Sequence, residues 1–180
     1  KEENCIMDKR KLANKQVKDR LLEALITFVG HKDWSKVTVT ELIAKAGVAR
    51  ASFYRNFTSV EEIIDYGISQ VTEAYHQGKP FAEEDFHQRA VVLYKFRFYQ
   101  AHADLVLAFH HAKASLTLLD LITDCEIAAN GDMPAASMDK YALYYYAGAF
   151  YNMLICWLES GTPQSPEAMA DEFLRLAGSC

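Results

Sequence analysis

The run RASFYRN at positions 50–56, followed by Phe57, separates hydrogen-bond donors from apolar rings at helical spacing. At about 100° per residue, Phe53 and Phe57 lie within roughly 40° of each other and predict the buried side of a short helix. Arg55 and Ala51 fall on the opposite side, with a serine and a tyrosine on the flanks. A guanidinium can donate to a guanine edge or a phosphate, and hydroxyls can donate to phosphate oxygens. The pattern favours nucleic-acid recognition over an ordinary solvated helix face.

Capping and turn signals on both sides position this short helix. Thr38 and Glu41 have the spacing of a capping box, which predicts the start of a preceding helix. Gly47 can adopt the positive φ that a sharp turn between two helices requires. Ser59 and Glu62 repeat the capping spacing and predict the start of the next helix. Two short helices joined by a glycine-containing turn are typical of a DNA-reading helix-turn-helix.

A resemblance to the N-terminal domain of TetR (tetracycline-repressor-like) transcriptional regulators lies in residues 38–64, TVTELIAKAGVARASFYRNFTSVEEII. It rests on the AGV turn, the FY-x-x-F helix and the capped following helix, and it covers roughly residues 10–70. Two positions depart from the family pattern. Ala49 stands where Ser or Thr is common, which removes the side-chain N-cap of the recognition helix. Val60 stands where Lys is common, which removes a phosphate contact.

The resemblance implies an all-α fold. A three-helix helix-turn-helix DNA-binding domain (residues 10–58) is expected to precede a helical ligand-binding and dimerisation domain (residues 59–180). We expect base contacts or nearby phosphate contacts from the outward side of the second short helix. The start of the first short helix is expected to contact phosphates. The predicted DNA-binding residues are Thr38, Thr40, Arg50, Ala51, Ser52, Tyr54, Arg55 and Asn56.

Basic residues are concentrated in the first third of the chain. Residues 1–60 contain 12 Lys and Arg against 7 Asp and Glu, a net charge of +5. Residues 61–180 contain 7 Lys and Arg against 17 Asp and Glu, a net charge of −10. The overall charge of −5 therefore hides a basic segment suited to phosphate contacts, whose affinity depends on salt.

Length, hydropathy and cysteine spacing limit the class of protein. The 180 residues are 51% hydrophobic, which is enough for a substantial core in one large domain or two small ones. No apolar run reaches the roughly 18–20 residues of a membrane span and no signal peptide is apparent, so we expect a cytoplasmic protein. The four cysteines are far apart, which is typical of reduced thiols. We expect no cofactor.

Apolar residues recur at helical spacing through most of the chain, without strand-like alternation. The predicted helices lie at about residues 14–29, 38–46, 50–56, 59–76, 84–101 and 138–159, with shorter helical stretches between 103 and 129. Ser165 and Pro166 predict the N-cap and first position of a last helix. Breaks are expected at residues 78–80, 130–134 and 160–163 because glycine and proline cluster there.

The stretch 141–158, YALYYYAGAFYNMLICWL, is apolar nearly all round, and such a helix needs partners on more than one side. In proteins that resemble TetR regulators, the last two long helices of each subunit form a four-helix bundle, so we expect a homodimer. A two-fold dimer places its recognition helices in successive major grooves, about 34–36 Å apart or somewhat more. The alternative is the core helix of a monomer. The predicted interface residues are Tyr145, Gly148, Ala149, Phe150, Trp157 and Phe173.

The resemblance also implies a small-molecule cavity in the middle region, whose occupancy moves the fourth helix and separates the two DNA-reading heads. Mixed polar and aromatic side chains often line such cavities. The candidates are Tyr94, Phe98, His102, Phe109, His110, Tyr146 and Trp157. Plain aromatic core is the alternative for each of them, and the resemblance does not identify the effector.

Metal binding and catalysis have little support in the sequence. His110 and His111, with His102 or His87, are candidate ligands, but adjacent helical residues point about 100° apart. The chain has no HxxxH, HExxH or cysteine-rich spacing, so we expect no metal site. It also has no GxSxG, glycine-rich phosphate loop or nucleophile–base pair, so we expect no enzymatic activity.

The sequence therefore predicts a DNA-binding transcriptional regulator, most simply a dimeric repressor of a pseudo-palindromic operator that a small-molecule effector relieves. One alternative is a regulator that acts through a protein partner and binds DNA weakly by itself, which Ala49 and Val60 leave open. Another is a helical ligand carrier or enzyme that uses the His- and Tyr-rich middle region.

Overall fold

The chain is helical in the computed structural model, which describes residues 2–29, 36–81, 86–111, 119, 122–123 and 138–178. In chain order the helices are α1 (Glu2–Val29), α2 (Val39–Ala46), α3 (Arg50–Asn56), α4 (Glu61–Gly78), α5 (Arg89–Ala101), α6 (Ala103–Phe109), α7 (Met138–Glu159) and α8 (Pro166–Ala177). No strand occurs in these ranges, and the predicted all-α fold is confirmed. Across the same ranges, none of the helices combines the length and apolarity that a bilayer crossing requires.

Most helix boundaries agree with the prediction, and the largest difference is in α1. This helix begins at Glu2 rather than near residue 14, because residues 2–13 contain no glycine or proline to stop it. The bounds of α3 and α7 match the predicted ones. Only α6 is described within the predicted stretch 103–129 as a complete helix, and the predicted break at 130–134 lies outside the described residues.

The chain forms two compact units, Lys1–Gln70 and Val71–Cys180, and the boundary between them falls inside α4. The first turns of α4 therefore belong with α1, α2 and α3. The predicted domain boundary between residues 58 and 59 separates a DNA-binding function from a regulatory one, and that functional division stays a prediction.

The core of the first unit is built where α1, α2 and α3 pack against one another. Leu21 from α1, Leu42 from α2 and Phe53 from α3 are completely buried, and Phe57 is nearly so. Since burying a large apolar side chain contributes about 1.5–3 kcal/mol, these contacts hold a seven-residue helix that would not be stable alone.

The ends of the short helices follow their capping chemistry. Thr38 and Glu41 form the predicted capping box, and Gly47 ends α2 with a φ of 63°. At the start of α3, Ala49 provides no side-chain cap, as predicted. The Ser59–Glu62 capping box predicted for α4 is replaced by a different contact, because Thr58 rather than Ser59 donates its backbone N–H and hydroxyl to the Glu62 carboxylate.

An aromatic cluster forms the core of the second unit, in which α5 packs along α8. The ring centroid of Phe96 lies 4.9 Å from that of Phe150 and 5.5 Å from that of Trp157. Phe173 of α8 approaches Phe86 at 5.6 Å. Such pairs add about 0.5–1.5 kcal/mol each beyond the area that they bury. The cluster packs α7 against both α5 and α8.

We expect Gly47→Ala to destabilise the protein by about 1–2 kcal/mol, because a residue with a Cβ is strained at this positive φ. Space is not the cause, since a Cβ built at Gly47 has no neighbour within 4 Å. Urea unfolding measures the loss. Gly47→Asn is the matched control and should lose less, because Asn tolerates the left-handed region better. Equal losses would contradict the conformational explanation.

Candidate functional site

The outward side of α3 is open to solvent and carries most of the residues that were predicted to contact DNA. Phe53 is 0% exposed, whereas its neighbour Tyr54 is 51% exposed. Arg50, Ala51 and Arg55 are also exposed. Ser52 and Asn56 are half-buried on the flanks. The helix thus presents the Arg55 guanidinium and the Ala51 methyl group to solvent on the side opposite Phe53, with the Tyr54 phenol exposed on a flank.

Three of the predicted residues form a hydrogen-bonded cluster between α2 and α3. The Arg50 guanidinium donates to the Tyr54 hydroxyl at 3.3 Å and to the Thr40 hydroxyl at 3.4 Å. Its central carbon lies 5.5 Å from the centroid of the Tyr54 ring. These contacts are long and exposed, so they orient the side chains weakly and leave them free to rearrange onto a phosphate.

Two predicted contacts are already occupied within the chain. The Thr38 hydroxyl donates to a Glu41 carboxylate oxygen at 2.8 Å and accepts from the Glu41 backbone N–H at 3.2 Å. The Asn56 side-chain amide donates to the Ser52 backbone oxygen at 2.8 Å. A phosphate would have to compete with these bonds. Thr38 and Asn56 are therefore better placed to define the helix ends than to bind DNA directly.

A brace between α1 and α4 was missed in the sequence. The Tyr66 hydroxyl donates to the Asp19 carboxylate at 2.7 Å. Burial, and then that hydrogen bond, raise the pKa of Tyr66 far above its usual value, so the phenol remains a donor at physiological pH. Lys18 lies with its ammonium 5.2 Å from the centroid of the Tyr66 ring and 5.6 Å from that of Phe57. The brace ties the core phenylalanine of the site to both helices.

The residues that lead into and begin α4 follow α3 directly in the sequence, and Thr58 and Glu61 among them are exposed. The Thr58 hydroxyl, and then its backbone N–H, hold the pKa of Glu62 below its usual value. This carboxylate is therefore charged at neutral pH and completes the cap. Val60, which is half-buried, offers no charge at the position where Lys is common in TetR regulators.

The predicted dimer interface is only partly available on α7 and α8. Tyr145 is 54% exposed, and Gly148 and Ala149 are partly exposed. Phe150, Trp157 and Phe173 are completely or almost completely buried inside the single chain. Phe150 and Phe173 have no surface left for a partner, so assigning them to direct contacts across an interface was wrong. Trp157 lines a groove between α7 and α8, and its place in an interface stays a prediction. Their aromatic character marked the core of the subunit.

An open groove of about 760 Å³ lies between the later half of α7 and α8. Asn152, Met153 and Cys156 line it from α7, and Met169 lines it from α8. In the first turns of α7, the large side chains of Tyr141, Tyr144 and Tyr145 are exposed. A mostly apolar face therefore extends along the outside of these two helices.

The predicted effector-pocket residues do not surround a single described cavity. Tyr94, Phe98 and His102 form a stack along α5, with Phe98 and His102 ring centroids 4.3 Å apart. Phe109 is buried on α6, and Tyr146 packs against Phe86 and His87. Of the seven residues, only Trp157 lines the α7–α8 groove.

A buried lysine in the second unit was also missed. Lys95 is 3% exposed, and its ammonium lies 4.4 Å from the centroid of the Phe86 ring. The rings of Tyr75 and Phe150 follow at 5.8 and 6.0 Å. The signal was present in the sequence, because Lys95 shares a helical stripe with Val91, Val92 and Tyr99. The ammonium is therefore in cation–π contact with the aromatic core of the second unit.

The 100° helical angle led us to expect that His110 and His111 do not easily share one ion, yet the structure brings both rings close to one carboxylate. Both side chains turn toward Glu159 at the end of α7, with Nε2 to Oε1 distances of 3.9 Å for His110 and 3.8 Å for His111. The helical angle applies to the Cβ directions, and the rest of each side chain brings the rings together. The chain is also π-helical at these two residues, which alters their relative direction.

Two family models match the chain. Residues 21–66 match a model described as bacterial regulatory proteins of the tetR family. Residues 90–179 match a model described as the C-terminal region of a transcriptional regulator. The matched segments include α2 and α3 in the first unit and α5 to α8 in the second. A comparison with curated protein sequences finds no match.

Several solved structures have a similar fold. A TetR transcriptional regulator from Streptococcus agalactiae 2603V has a TM-score of 0.68 and 16% identity, over 96% of this chain and 98% of that chain. FadR from Bacillus subtilis, in complex with stearoyl-CoA, has a TM-score of 0.58 and 15% identity, over 89% and 97% of the two chains. FadR from Bacillus halodurans, a fatty acid degradation regulator, has a TM-score of 0.55 and 13% identity, over 91% and 95%.

We expect Tyr66→Phe to lower the free energy of unfolding by about 1–2 kcal/mol, because the half-buried Asp19 carboxylate loses its donor. Urea unfolding followed by circular dichroism measures the change. Tyr54→Phe is the control, since its hydroxyl is exposed, and it should change stability by less than about 0.5 kcal/mol. An equal effect of the two substitutions would show that the brace does not stabilise the unit.

Proposed function

Because the chain belongs to the TetR family and is a DNA-binding transcriptional regulator, we propose that it is a homodimeric repressor of a pseudo-palindromic operator. A small-molecule effector bound by the second unit releases the repressor from DNA. The observation that carries the proposal is the division of α3 into a buried side with Phe53 and an exposed side with Arg55.

The residues of α3 have distinct roles in this proposal. Arg55 points away from the core and reads a base edge in the major groove, with Ala51 allowing close approach. Ser52 contributes from the flank. The Arg50–Tyr54–Thr40 cluster contacts the phosphate backbone and fixes the position of the helix on DNA. Phosphate contacts set affinity and register, whereas the base contact sets specificity.

Dimer formation uses the exposed face of α7 and α8. Three tyrosines, Tyr141, Tyr144 and Tyr145, are about half exposed or more, and aromatic residues are enriched in interfaces. Gly148 and Ala149 allow a second helix to approach closely. The α7–α8 groove then receives side chains of the partner subunit. In a two-fold symmetric dimer the same surface patch of both subunits forms the interface, so this single face is sufficient for dimer formation.

The effector in this proposal has an apolar body and an acidic group. The ring stack of Tyr94, Phe98 and His102 supplies apolar contacts, and the ammonium of Lys95 attracts the acid. FadR of Bacillus subtilis, a protein of similar fold, was solved with stearoyl-CoA, which has both features. The support from this chain is the position of the Lys95 ammonium, which lies inside the second unit beside the aromatic rings, 4.4 Å from the centroid of the Phe86 ring. The protein performs no enzymatic reaction in this proposal.

A second candidate function is regulation through a protein partner that strengthens weak DNA binding. One observation favours it: Ala49, the N-cap residue of α3, makes no side-chain hydrogen bond to the first N–H groups of the helix. Selection from a random duplex pool separates the candidates. An enriched two-fold symmetric site with the purified protein supports independent binding, whereas enrichment only with a cell extract supports a partner.

Arg55→Ala is expected to weaken binding to the selected operator by about 1–3 kcal/mol, because a bidentate contact to guanine is lost. Gel-shift titration against the selected site and against base-substituted sites measures affinity and preference together. Loss of affinity with loss of preference at one base pair in each half-site is the expected result. Unchanged affinity and preference would remove Arg55 from the recognition surface.

Two further variants separate charge from recognition. Arg55→Lys keeps the positive charge and loses the planar fork, so non-specific binding should remain while the base preference weakens. Tyr54→Phe removes a proposed phosphate donor and should weaken binding similarly for all sequences. A change at a single base position with Tyr54→Phe would contradict its role in phosphate binding.

Gly148→Leu is expected to dissociate the dimer at micromolar concentration without unfolding the subunit. A Cβ at Gly148 has no neighbour within 4 Å in the single chain, so the subunit has room for a side chain to start there and project toward a partner. Sedimentation velocity and circular dichroism give the mass and the helix content. Ala101→Leu, at an exposed position on α5, is the control and should remain dimeric. A fully dimeric Gly148→Leu protein would exclude this face from the interface.

A further inference from the structure

We propose that His110, His111 and Glu159 form a binding site for a divalent transition-metal ion, with Zn²⁺ as the best match. Each residue offers one ligand atom, and the three atoms all lie within 4.8 Å of one another. The site lies where the end of α6 meets the end of α7, within the second unit. None of these three residues belongs to the exposed side of α3 or to the rings around Lys95.

The distances between the histidine nitrogens and the Glu159 carboxylate suit a shared metal ion better than direct hydrogen bonds. At 3.9 and 3.8 Å, the two histidine nitrogens are too far from Glu159 Oε1 to form hydrogen bonds with it. Ligand atoms around a tetrahedral Zn²⁺ at 2.0–2.1 Å lie about 3.3–3.4 Å apart. Movements of about half an ångström in exposed or half-exposed side chains would therefore reach the bonding geometry.

An outer partner holds the first histidine ring in the required direction. Nδ1 of His110 lies 2.8 Å from the hydroxyl of Tyr151, which is a buried residue of α7. When Nδ1 carries the ring proton and donates it to that hydroxyl, Nε2 has a free lone pair directed to the side of Glu159. Metal-bound histidines regularly have such a partner on the second nitrogen.

The donor set identifies the class of ion. Two imidazoles and one carboxylate are typical of Zn²⁺ sites with three protein ligands and a water in the fourth position. Imidazole nitrogen also binds Cu²⁺ and Ni²⁺, whereas Mg²⁺ and Ca²⁺ prefer oxygen ligands only. The side chains of His110, His111 and Glu159 are 29%, 48% and 45% exposed. An ion can therefore enter from solvent and keep a water ligand.

Isothermal titration of the full-length protein with ZnCl₂ tests the site. We expect one Zn²⁺ per chain, an increase in Tm on binding, and no comparable binding of Mg²⁺. His111→Ala and Glu159→Gln should each weaken Zn²⁺ binding by about 100-fold or more, and Tyr151→Phe by about 10–100-fold. His87→Gln is the control and should bind as the unchanged protein does.

Three outcomes would overturn the proposal: no saturable Zn²⁺ binding, binding that His111→Ala and Glu159→Gln leave unchanged, or equally strong Mg²⁺ binding. Circular dichroism of each variant confirms that it is folded. Co²⁺ provides an independent readout, because its visible absorption bands report tetrahedral nitrogen and oxygen ligation. All measurements use protein without DNA, so failure here is distinguishable from failure of the proposed operator binding.

Discussion

The burial of Phe53 and Phe57 is the contact on which the recognition surface depends. The helix α3 has only seven residues and no side-chain cap, so its stability comes from packing against α1 and α2. Once the two rings are buried, rotation of α3 about its axis is no longer free. Arg55 and Ala51 are then directed to solvent, and the brace from Tyr66 to Asp19 supports the same core from α4.

The second unit uses the same principle with a different result. On α7, large apolar residues occur on every side, and α5 and α8 cover only part of them. Phe150 and Trp157 are enclosed within the subunit, whereas Tyr145 and its neighbours remain open. The exposed apolar face is what makes a second subunit necessary in the proposed dimer. His110, His111 and Glu159 are separate from this apolar face. They lie close together because the C-terminal ends of α6 and α7 are near each other.

Local signals in the sequence were reliable because they act within a few residues. The capping box at Thr38, the turn at Gly47 and the N-cap at Ser165 are confirmed. Each depends on a backbone angle or a hydrogen bond between near neighbours. The errors were of two kinds. Glu62 was paired with Ser59 although it bonds to Thr58. The start of α1 was predicted too late because a polar stretch of helix carries no periodic apolar signal.

The sequence by itself determined the helix-turn-helix, the all-α class, the outward direction of Arg55 and the family. Only the tertiary structure decided which aromatic residues are enclosed, where Lys95 lies, and that two adjacent histidines meet one glutamate. The reason is physical. Helices and turns follow from interactions between residues three or four positions apart, whereas burial and ligand geometry depend on which helices pack together, and one helical period is compatible with many packings.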